Sequence, residues 1–475
     1  MSLDYNSEQF PFQGQQDDHL VTLEQYGLQQ PWTQQKLTPL DMNMPRVYGA
    51  RYVLCFPLMS GIEKSRVYGN LRQGLAYTAN SISWIAGTIA PEEGEDPKNR
   101  RIEIINSPGG VSFPCKDLTN ILPSYAELKA RNFPLSEFPT AKLGPIDVMP
   151  QGPDQPVFAA QANFIQDGLL LTIGVHHSAC DASALDAIMN TWSHNTAAAS
   201  GSSKSFSTFD GPSNDRKPHM QGMPGADLDN FPEYVLMPTP HADAQGMPTF
   251  QLPPLSSRLF HFSPETLTNL KATAAAFSTH DALCAFVWQR MTMARMRSGV
   301  FTDPASDAET SALGFAVNVR NRMSPPLPPT YLGNASMACL TEKLTVSTIT
   351  SDSGLPRVAA AIRKSVGAFN SPNRVPLTIG LLNSRPDPTD FKLAYNAFLG
   401  PDIVATSWAD LRVYENDWGT MGMLDALRIP GEGADGVITI LPRLKDGSLE
   451  VVVALATAAM EMLLEDKVFI DVARS

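Results

Sequence analysis

The sequence has few cysteines, no long apolar run and no surplus of basic residues. Its five cysteines are odd in number and far apart: Cys55, Cys115, Cys180, Cys284 and Cys339. No pair has the spacing of a metal site or redox motif, so the pattern predicts reduced thiols in a cytoplasmic protein. No apolar stretch approaches the roughly 18 residues that cross a bilayer, and the polar first twenty residues predict no secretory signal. A net charge of -12 argues against a nucleic-acid partner, because phosphate binding requires a basic face.

Several common catalytic motifs are also missing. The sequence contains no Gly-x-Ser-x-Gly nucleophile elbow, which argues against a serine hydrolase. It contains neither a P-loop nor a Gly-x-Gly-x-x-Gly after a strand, which argues against a doubly wound nucleotide-binding fold. No metal-ligand spacing was found, so we expect no metal.

The length and the composition together indicate two domains. A chain of 475 residues exceeds one ordinary core, and residues 196–254 are rich in Ser, Gly, Pro, Asp and Ala. We therefore expect an N-terminal domain over residues 1–195, a long crossover loop over 196–254 and a C-terminal domain over 255–475. Strand-like and helix-like segments are mixed without strict alternation, which predicts an α/β fold of two halves with mixed sheets.

The clearest local signals of the first half are one strand, one helix and one hairpin. Tyr52–Phe56 is β-branched or aromatic and predicts a buried strand. Apolar residues at helical spacing predict a helix over Glu63–Ala86 with Gly87 as its C-cap. Val157–Ile165 and Leu169–Val175 are joined through an Asp-Gly pair, which predicts a β-hairpin.

The second half shows similar signals. Ser263 is expected to cap a helix over residues 264–276, and a second helix is expected over residues 281–293. Two apolar runs, residues 437–441 and 449–456, predict another hairpin, because an Asp-Gly pair again lies between them.

Two histidines follow directly after the hairpin of the first half. His176 and His177 are neighbours at a strand end, so their side chains start on opposite faces and one can enter a cleft. An imidazole with a pKa near 6.5 can take a proton from an alcohol. By itself, however, His-x-x-x-Asp is a weak signal. It is also compatible with a hydrogen-bonded core histidine at 177 and a helix-capping aspartate at 181.

Four segments in the right order resemble the BAHD acyltransferases. His177–Asp181 is similar to the family's His-x-x-x-Asp motif, which condensation domains and chloramphenicol acetyltransferase share in closely related form. Residues 317–334 resemble the Asp-x-Arg-x-Arg…Tyr-x-Gly-Asn stretch, and residues 406–419 resemble the Ser-Trp…Asp-Phe-Gly-Trp-Gly region. Residues 279–288 look especially like fungal members of the trichothecene 3-O-acetyltransferase type. Together the matches span nearly the whole chain.

The resemblance implies a fold, a reaction and a base. It implies two chloramphenicol-acetyltransferase-like α/β domains, with acyl-CoA and an acceptor meeting at His177. His177 would deprotonate a hydroxyl group of a small secondary metabolite, which attacks the thioester without an acyl-enzyme intermediate. Asp181 would pair with an arginine and support the loop, and Arg320 is the candidate partner. Acetyl-CoA is the expected co-substrate of a monomeric enzyme that holds no permanent cofactor and binds no membrane.

The resemblance also implies where acyl-CoA binds. Thr406, Ser407 and Trp408 match the segment along the pantetheine arm and thioester, although an ordinary strand end with a buried tryptophan fits the same residues. Residues 417–419, which are Asp417, Trp418 and Gly419, would shape the CoA side. Two departures concern this side: Asn318 replaces the aspartate of Asp-x-Arg-x-Arg, and residues 417–422 read Asp-Trp-Gly-Thr-Met-Gly.

Two other functions stay open at this point. A condensation-type enzyme would form an amide or ester from a carrier-protein thioester, and the His-His pair is compatible with it. The Tyr331-x-Gly-Asn334 and Asp417–Gly419 matches favour the CoA-dependent enzymes instead. A catalytically inactive binding homologue is the second alternative, but it would have no need of both His177 and Asp181.

Overall fold

The computed structural model describes residues 19–29, 34–93, 100–107, 109–149, 155–209, 211–237, 253–301 and 309–473. These residues form thirteen α-helices, several of which are single turns. The helices are α1 (Pro39–Asn43), α2 (Lys64–Ser81), α3 (Tyr125–Ala130), α4 (Thr140–Leu143), α5 (Ala182–Ala199), α6 (Gly211–Asn214), α7 (Pro264–Thr273), α8 (Thr279–Arg297), α9 (Val346–Thr350), α10 (Gly354–Gly367), α11 (Arg374–Asn383), α12 (Thr457–Leu464) and α13 (Lys467–Val472).

The same residues form twenty-one strands, which belong to five sheets. The strands are β1 (Leu20–Val21), β2 (Gln34–Lys36), β3 (Ala50–Pro57), β4 (Gly87–Pro91), β5 (Ile102–Asn106), β6 (Val111–Ser112), β7 (Cys115–Asp117), β8 (Gln155–Pro156), β9 (Phe158–Ile165), β10 (Gly168–Val175), β11 (Tyr234–Leu236), β12 (Leu255–Phe262), β13 (Thr310–Ser311), β14 (Leu313–Asn318), β15 (Ser336–Leu340), β16 (Leu344–Thr345), β17 (Phe391–Leu393), β18 (Ile403–Ser407), β19 (Ala426–Arg428), β20 (Val437–Ile440) and β21 (Leu449–Ala456).

The predicted hairpin forms the centre of the N-terminal sheet. Its strands run in the order β1-β6-β9-β10-β3-β19, with β7 also paired to β9. Both faces of β10 are buried, which explains its continuous apolar run. Leu169, Leu171 and Ile173 join the core that also contains Trp192, whereas Leu170 joins a smaller cluster on the other face.

Two long helices cover one face of this sheet. α2 packs closely against α5, and a Cβ on Gly74 would lie 2.7 Å from the backbone nitrogen of Thr196. The indole of Trp192 donates to the carbonyl of Leu71 across the same contact, at 2.9 Å. The close approach of the helices fixes α5, and α5 begins where the histidine loop ends.

The C-terminal half is built around a six-stranded mixed sheet. Its strands run in the order β12-β21-β20-β18-β14-β15, and β18 is parallel to both of its neighbours. α8 contacts α7, α10 and α12, and its apolar side chains share one core with those of the sheet. The N-terminal sheet is mixed as well, because β6 and β7 run parallel to β9. The prediction of an α/β fold with mixed sheets in two halves is therefore confirmed.

One strand of the C-terminal half joins the sheet of the N-terminal half. β19, from the C-terminal part of the sequence, pairs with β3 at the edge of the N-terminal sheet. Arg428 on β19 forms a buried ion pair with Glu450 on β21, at 2.8 Å. This strand ties the sheets of the two halves together.

The predicted elements are present, but several boundaries differ. α7 ends at Thr273, and α8 covers Thr279–Arg297. The helix predicted over Glu63–Ala86 ends at Ser81, and a separate 3-10 turn covers Ser83–Ala86. Gly87 begins β4 with an extended backbone (φ -91°), and a Cβ there would lie 2.8 Å from the carbonyl oxygen of Ile105. The glycine therefore serves a close strand contact. α5 also continues to Ala199, beyond the position where the crossover loop was expected to begin.

Part of the crossover loop lies outside the described residues, namely 210 and 238–252. In the described portion, α6 contacts the C-terminal half, because Leu332 donates its backbone N–H to the carbonyl of Ser213 at 2.9 Å. None of the helices over the described ranges is long and apolar enough to cross a membrane.

Candidate active site

His177 lies on a loop whose backbone is held from both sides. The loop, residues 176–181, connects β10 to α5. The His177 N–H donates to the carbonyl of Val47 at 2.9 Å, and its own carbonyl accepts from the side chain of Asn334 at 3.0 Å. The absence of a side chain on Gly49 lets the ring approach, since a Cβ there would lie 3.2 Å from His177 Cδ2.

The His177 ring is half-buried, and its two nitrogens differ. Nδ1 is buried and has no hydrogen-bond partner among the described residues. Nε2 is therefore the nitrogen available to a bound molecule. A ring held by its backbone and packing, with a free nitrogen, can accept a proton from a substrate in reach.

His176 has the opposite environment. Its ring is fully buried and packs edge-on against Tyr48, with ring centroids 5.4 Å apart. Its Nδ1 accepts the backbone N–H of Ser178 at 3.2 Å. Burial, with smaller contributions from His177 and Arg46, lowers the pKa of His176 from 6.5 to about 4. His176 is thus a neutral packing residue near neutral pH.

Asp181 supports the loop in two ways at once. One oxygen caps α5 by accepting the N–H of Ala184 at 2.9 Å, and the other accepts the N–H of Ala335 at 2.8 Å. The carboxylate also forms a two-bond ion pair with the predicted partner, Arg320, at 2.8 and 2.9 Å. Burial opposes the charge, but Arg320 and the backbone donors hold the pKa of Asp181 below its usual value. None of these partners is His177, so Asp181 acts on the loop and not on the ring.

A second buried ion pair, which the sequence analysis did not identify, flanks the same loop. Asp41 and Arg216 lie 2.7 Å apart, with 0% and 2% of their side chains exposed. Arg216 donates to the carbonyl of Ala179 at 2.7 Å. Asp41 accepts hydrogen bonds from the backbone N–H and from the side-chain amide of Asn334. The available signal was the capping box at Thr38, in which Asp41 fills the third helical position. Nothing in the composition of the crossover indicated Arg216.

Thr406, Ser407 and Trp408 lie at the carboxyl end of a central strand. Thr406 and Ser407 end β18, and Ser407 is exposed. Trp408 is buried and packs edge-on against Tyr52, with ring centroids 4.8 Å apart. The first two residues can face a ligand, whereas Trp408 mainly supports them.

Asp417, Trp418 and Gly419 form a tight turn against α5. Asp417 accepts the N–H of Gly419 at 3.1 Å and pairs with Lys204 at 3.0 Å. Gly419 has a φ of 69°, and a Cβ there would lie 2.3 Å from Ser200 Oγ. The turn requires glycine at this position for both reasons.

The Trp418 side chain has no exposed surface, and its ring packs edge-on against Phe56 and Trp192. The structure places the indole in the core, and the predicted part of Trp418 in shaping the CoA side stays a prediction. The effect of Trp418 on a ligand would therefore be indirect.

A cavity of about 760 Å³ adjoins the Thr406–Trp408 segment. Its lining includes three basic residues, Arg412, Arg443 and Lys445, and two acidic ones, Asp410 and Glu415. The backbone N–H of Arg412 donates to Asp186 on α5, and burial raises the pKa of Asp186 to about 6. His177 does not line the cavity. The basic residues come from separate loops, so the sequence pattern did not single them out.

Across the described ranges, no cluster of three or more His, Cys, Asp and Glu side chains is arranged to hold a metal ion. The residues brought together at the His177 loop are instead a histidine and two carboxylate–arginine pairs. This arrangement suits proton transfer by a base whose position is fixed.

Comparison with known proteins gives consistent matches over nearly the whole chain. The model of the family described as Transferase family matches residues 28–469. The chain is 28% identical to acyltransferase easC of Emericella nidulans over 91% of its length and 94% of the relative. It is 27% identical to eremophilane O-acetyltransferase ORF8 of Penicillium roqueforti, over 94% and 98%.

A solved structure shares the fold. TRI101 of F. sporotrichioides, crystallised with coenzyme A and T-2, superposes with a TM-score of 0.80 at 22% identity. The match covers 93% of this chain and 99% of that protein. It shows that the two-domain fold is common to both proteins.

Proposed function

The chain belongs to the Transferase family of BAHD-type enzymes, and from this membership we propose that it transfers an acyl group from acyl-CoA to a hydroxyl group of a small secondary metabolite. Relatives named as acyltransferases and O-acetyltransferases, matched from end to end, support the reaction class. The observation that carries the proposal is His177, a half-buried histidine on a loop fixed by two buried ion pairs.

In the proposed reaction, His177 is the general base. Nε2 takes the proton of the acceptor hydroxyl, and the oxygen attacks the thioester carbonyl carbon. The new carbon–oxygen bond gives a tetrahedral intermediate, whose collapse breaks the carbon–sulfur bond. The departing CoA thiolate takes the proton back from the imidazolium, so the enzyme returns to its starting state without an acyl-enzyme. Base assistance of this kind contributes about 10²- to 10⁴-fold.

The other side of the site is proposed to hold acyl-CoA. Thr406 and Ser407 would lie along the pantetheine arm and thioester. The basic side chains of the neighbouring cavity complement the phosphates of CoA, since the rest of the chain offers a net negative field. Asp417 and Gly419 would shape this side through the turn that they form.

The finer assignments are proposals as well. Acetyl-CoA is the proposed donor, because O-acetyltransferases are among the relatives. We propose a monomeric enzyme of the cytoplasm, in agreement with the five free thiols, four of which are buried. No permanently bound cofactor is required by the reaction.

The proposal is tested by supplying purified protein with acetyl-CoA and a mixed fungal metabolite extract. Mass spectrometry follows products heavier by one acetyl group, and a thiol reagent follows the release of CoA. We expect products with the wild type, none with His177→Ala, and wild-type rates with His261→Ala, a control histidine on β12. Full activity of a folded His177→Ala variant would overturn the mechanism. Failure of the protein to bind or use acetyl-CoA would favour a carrier-protein thioester instead.

A further inference from the structure

The crossover segment contributes a buried arginine to the His177 loop. Arg216 follows α6, and its guanidinium lies 5.2 Å from the ring centroid of Trp84. Its counter-charge is Asp41, which comes from α1 in the N-terminal half. A charge this deeply buried is tolerated only when it is paired and hydrogen-bonded. The pair therefore fixes the position of both segments relative to each other.

Both members of this pair reach the backbone of the loop. Arg216 Nη2 donates directly to the carbonyl of Ala179, at 2.7 Å. Asp41 acts through Asn334, whose side-chain amide donates both to Asp41 Oδ1 at 2.9 Å and to the His177 carbonyl at 3.0 Å. Two carbonyls of the loop, including that of His177 itself, are therefore fixed by groups distant in sequence.

These contacts are separate from those of Asp181. The Asp181–Arg320 pair holds the end of the loop and the first turn of α5. The contacts of Asn334 and Arg216 fall on the preceding residues, where the direction of the imidazole is set. An error of about 1 Å in the position of a reacting group can cost about 100-fold in rate.

We propose that Asp41, Arg216 and Asn334 are positioning residues that hold the His177 imidazole in line with the acceptor hydroxyl. The inference rests on the proposed role of His177 as the general base. These residues touch neither the ring nor, in this scheme, the substrate. They act through the peptide groups that carry the ring.

Asn334→Ala is the most selective test. It removes the bond to the His177 carbonyl, while Asp41 keeps Arg216, Thr38 and the backbone N–H of residue 334 as partners. The matched control is Asn195→Ala, another fully buried asparagine, which bonds to Thr78 at the far end of α5. Both variants lose a buried amide, but only one loses a contact to the loop.

For kinetics, the acceptor is one that the wild type acetylates with acetyl-CoA. We expect Asn334→Ala to lower kcat about 10- to 100-fold, with KM for acetyl-CoA changed less than about twofold. Asn195→Ala should lose similar thermal stability and keep its kcat. Equal kcat values for the two variants would overturn the role of Asn334. Because His177→Ala is measured in parallel, its activity separately reports whether the proposed function fails.

A second readout needs neither acceptor nor acyl-CoA. In protein labelled with [¹⁵N]histidine, the ring signals of His177 are identified among those of eight histidines by their loss in His177→Ala. We expect these signals to move or broaden in Asn334→Ala and to stay unchanged in Asn195→Ala. Unchanged His177 signals in Asn334→Ala would contradict the proposal even if the activity fell.

Arg216→Lys separates the charge of Arg216 from its geometry. A lysine can keep a positive charge beside Asp41, but it lacks the planar fork that reaches Asp41 and the Ala179 carbonyl together. We expect kcat to fall at least about tenfold with KM for acetyl-CoA little changed. A folded lysine variant with wild-type kcat would show that the fork is not needed for positioning.

Discussion

The two sides of the candidate site are built in opposite ways. The loop that carries His177 is held by two buried carboxylate–arginine pairs, and its neighbouring positions are almost completely shielded from water. On the other side, Ser407 is exposed, and Arg443, also exposed, lines the large cavity that begins at Ala409. Thus the proposed base is fixed by burial and charge pairing, whereas the donor side presents groups to solvent.

This difference follows from the two tasks. A general base must lie in one position relative to the proton that it removes, and binding of the substrate does not restore that position once it is lost. A long, flexible donor such as acyl-CoA can instead adjust to solvated basic side chains, which attract its phosphates from a distance. Changes on the loop side should therefore alter kcat and stability, and changes on the cavity side should alter KM.

The largest effect is expected for Asp181→Ala, a change on the rigid side of the candidate site. The change leaves Arg320 buried without its partner and removes the cap of α5, at a cost of about 3–5 kcal/mol in the free energy of unfolding. The kcat of the folded protein should fall at least about 100-fold as His177 loses its position. Chemical denaturation and steady-state kinetics measure the two effects.

The control for this variant is Asp435→Ala, which breaks another buried pair, with Arg295, in the C-terminal half. It should destabilise the protein similarly without lowering kcat. A comparable loss of kcat in both variants would mean that lost stability alone explains the result.

An intermediate effect, on the pH dependence of the free energy of unfolding, is expected from the buried His176. The pKa of His176 is about 4 in the folded protein, whereas that of an exposed histidine is 6.5. Between these two pH values, this site therefore binds more protons in the unfolded chain than in the folded protein. The free energy of unfolding should therefore decrease as the pH falls from 6.5 to 4, by about 3 kcal/mol from this group. Denaturation at several pH values should show a flatter dependence for His176→Gln. His261→Gln, at a more accessible position, serves as the control and should retain the wild-type slope.

The smallest effect is expected on the cavity side, where Arg443→Ala tests whether a change alters KM without altering kcat. Loss of the one exposed phosphate contact proposed for Arg443 would correspond to about 1 kcal/mol, or about a fivefold higher KM for acetyl-CoA, with kcat unchanged. The KM of the wild type should also rise with salt more steeply than that of the variant. Lys364→Ala, which removes an exposed cation paired with Glu342, should change neither value. A lower kcat with unchanged KM for Arg443→Ala would contradict the division between the two sides.

Local patterns in the sequence were sufficient for many elements. The Asp-Gly turn and two apolar runs predicted the hairpin that ends at His176, and the structure contains it as β9 and β10. Ser263 caps α7 as expected, because a capping hydroxyl lies within one helical turn of the backbone N–H whose hydrogen bond it accepts. The Asp181–Arg320 pair was also predicted, but only through the family resemblance.

Several features of the site could not be predicted in this way. Asp41, Arg216 and Asn334 meet at one loop although nearly three hundred residues separate the first from the last. Arg216 lies in a segment whose composition resembled a linker, and Gly87 was interpreted as a helix cap although it serves a strand contact. In each case the deciding contact is made with a residue far away in the sequence.

The sequence by itself determined the mixture of strands and helices, the position of the histidine loop and the family, because these depend on local periodicity, turn chemistry and ordered motifs. The tertiary structure alone decided which charges are paired, which of the two histidines is fully buried, and that Trp418 packs in the core. It also placed β19 in the sheet of the other half. Burial and long-range pairing depend on how the whole chain closes around its cores, and no local pattern records them.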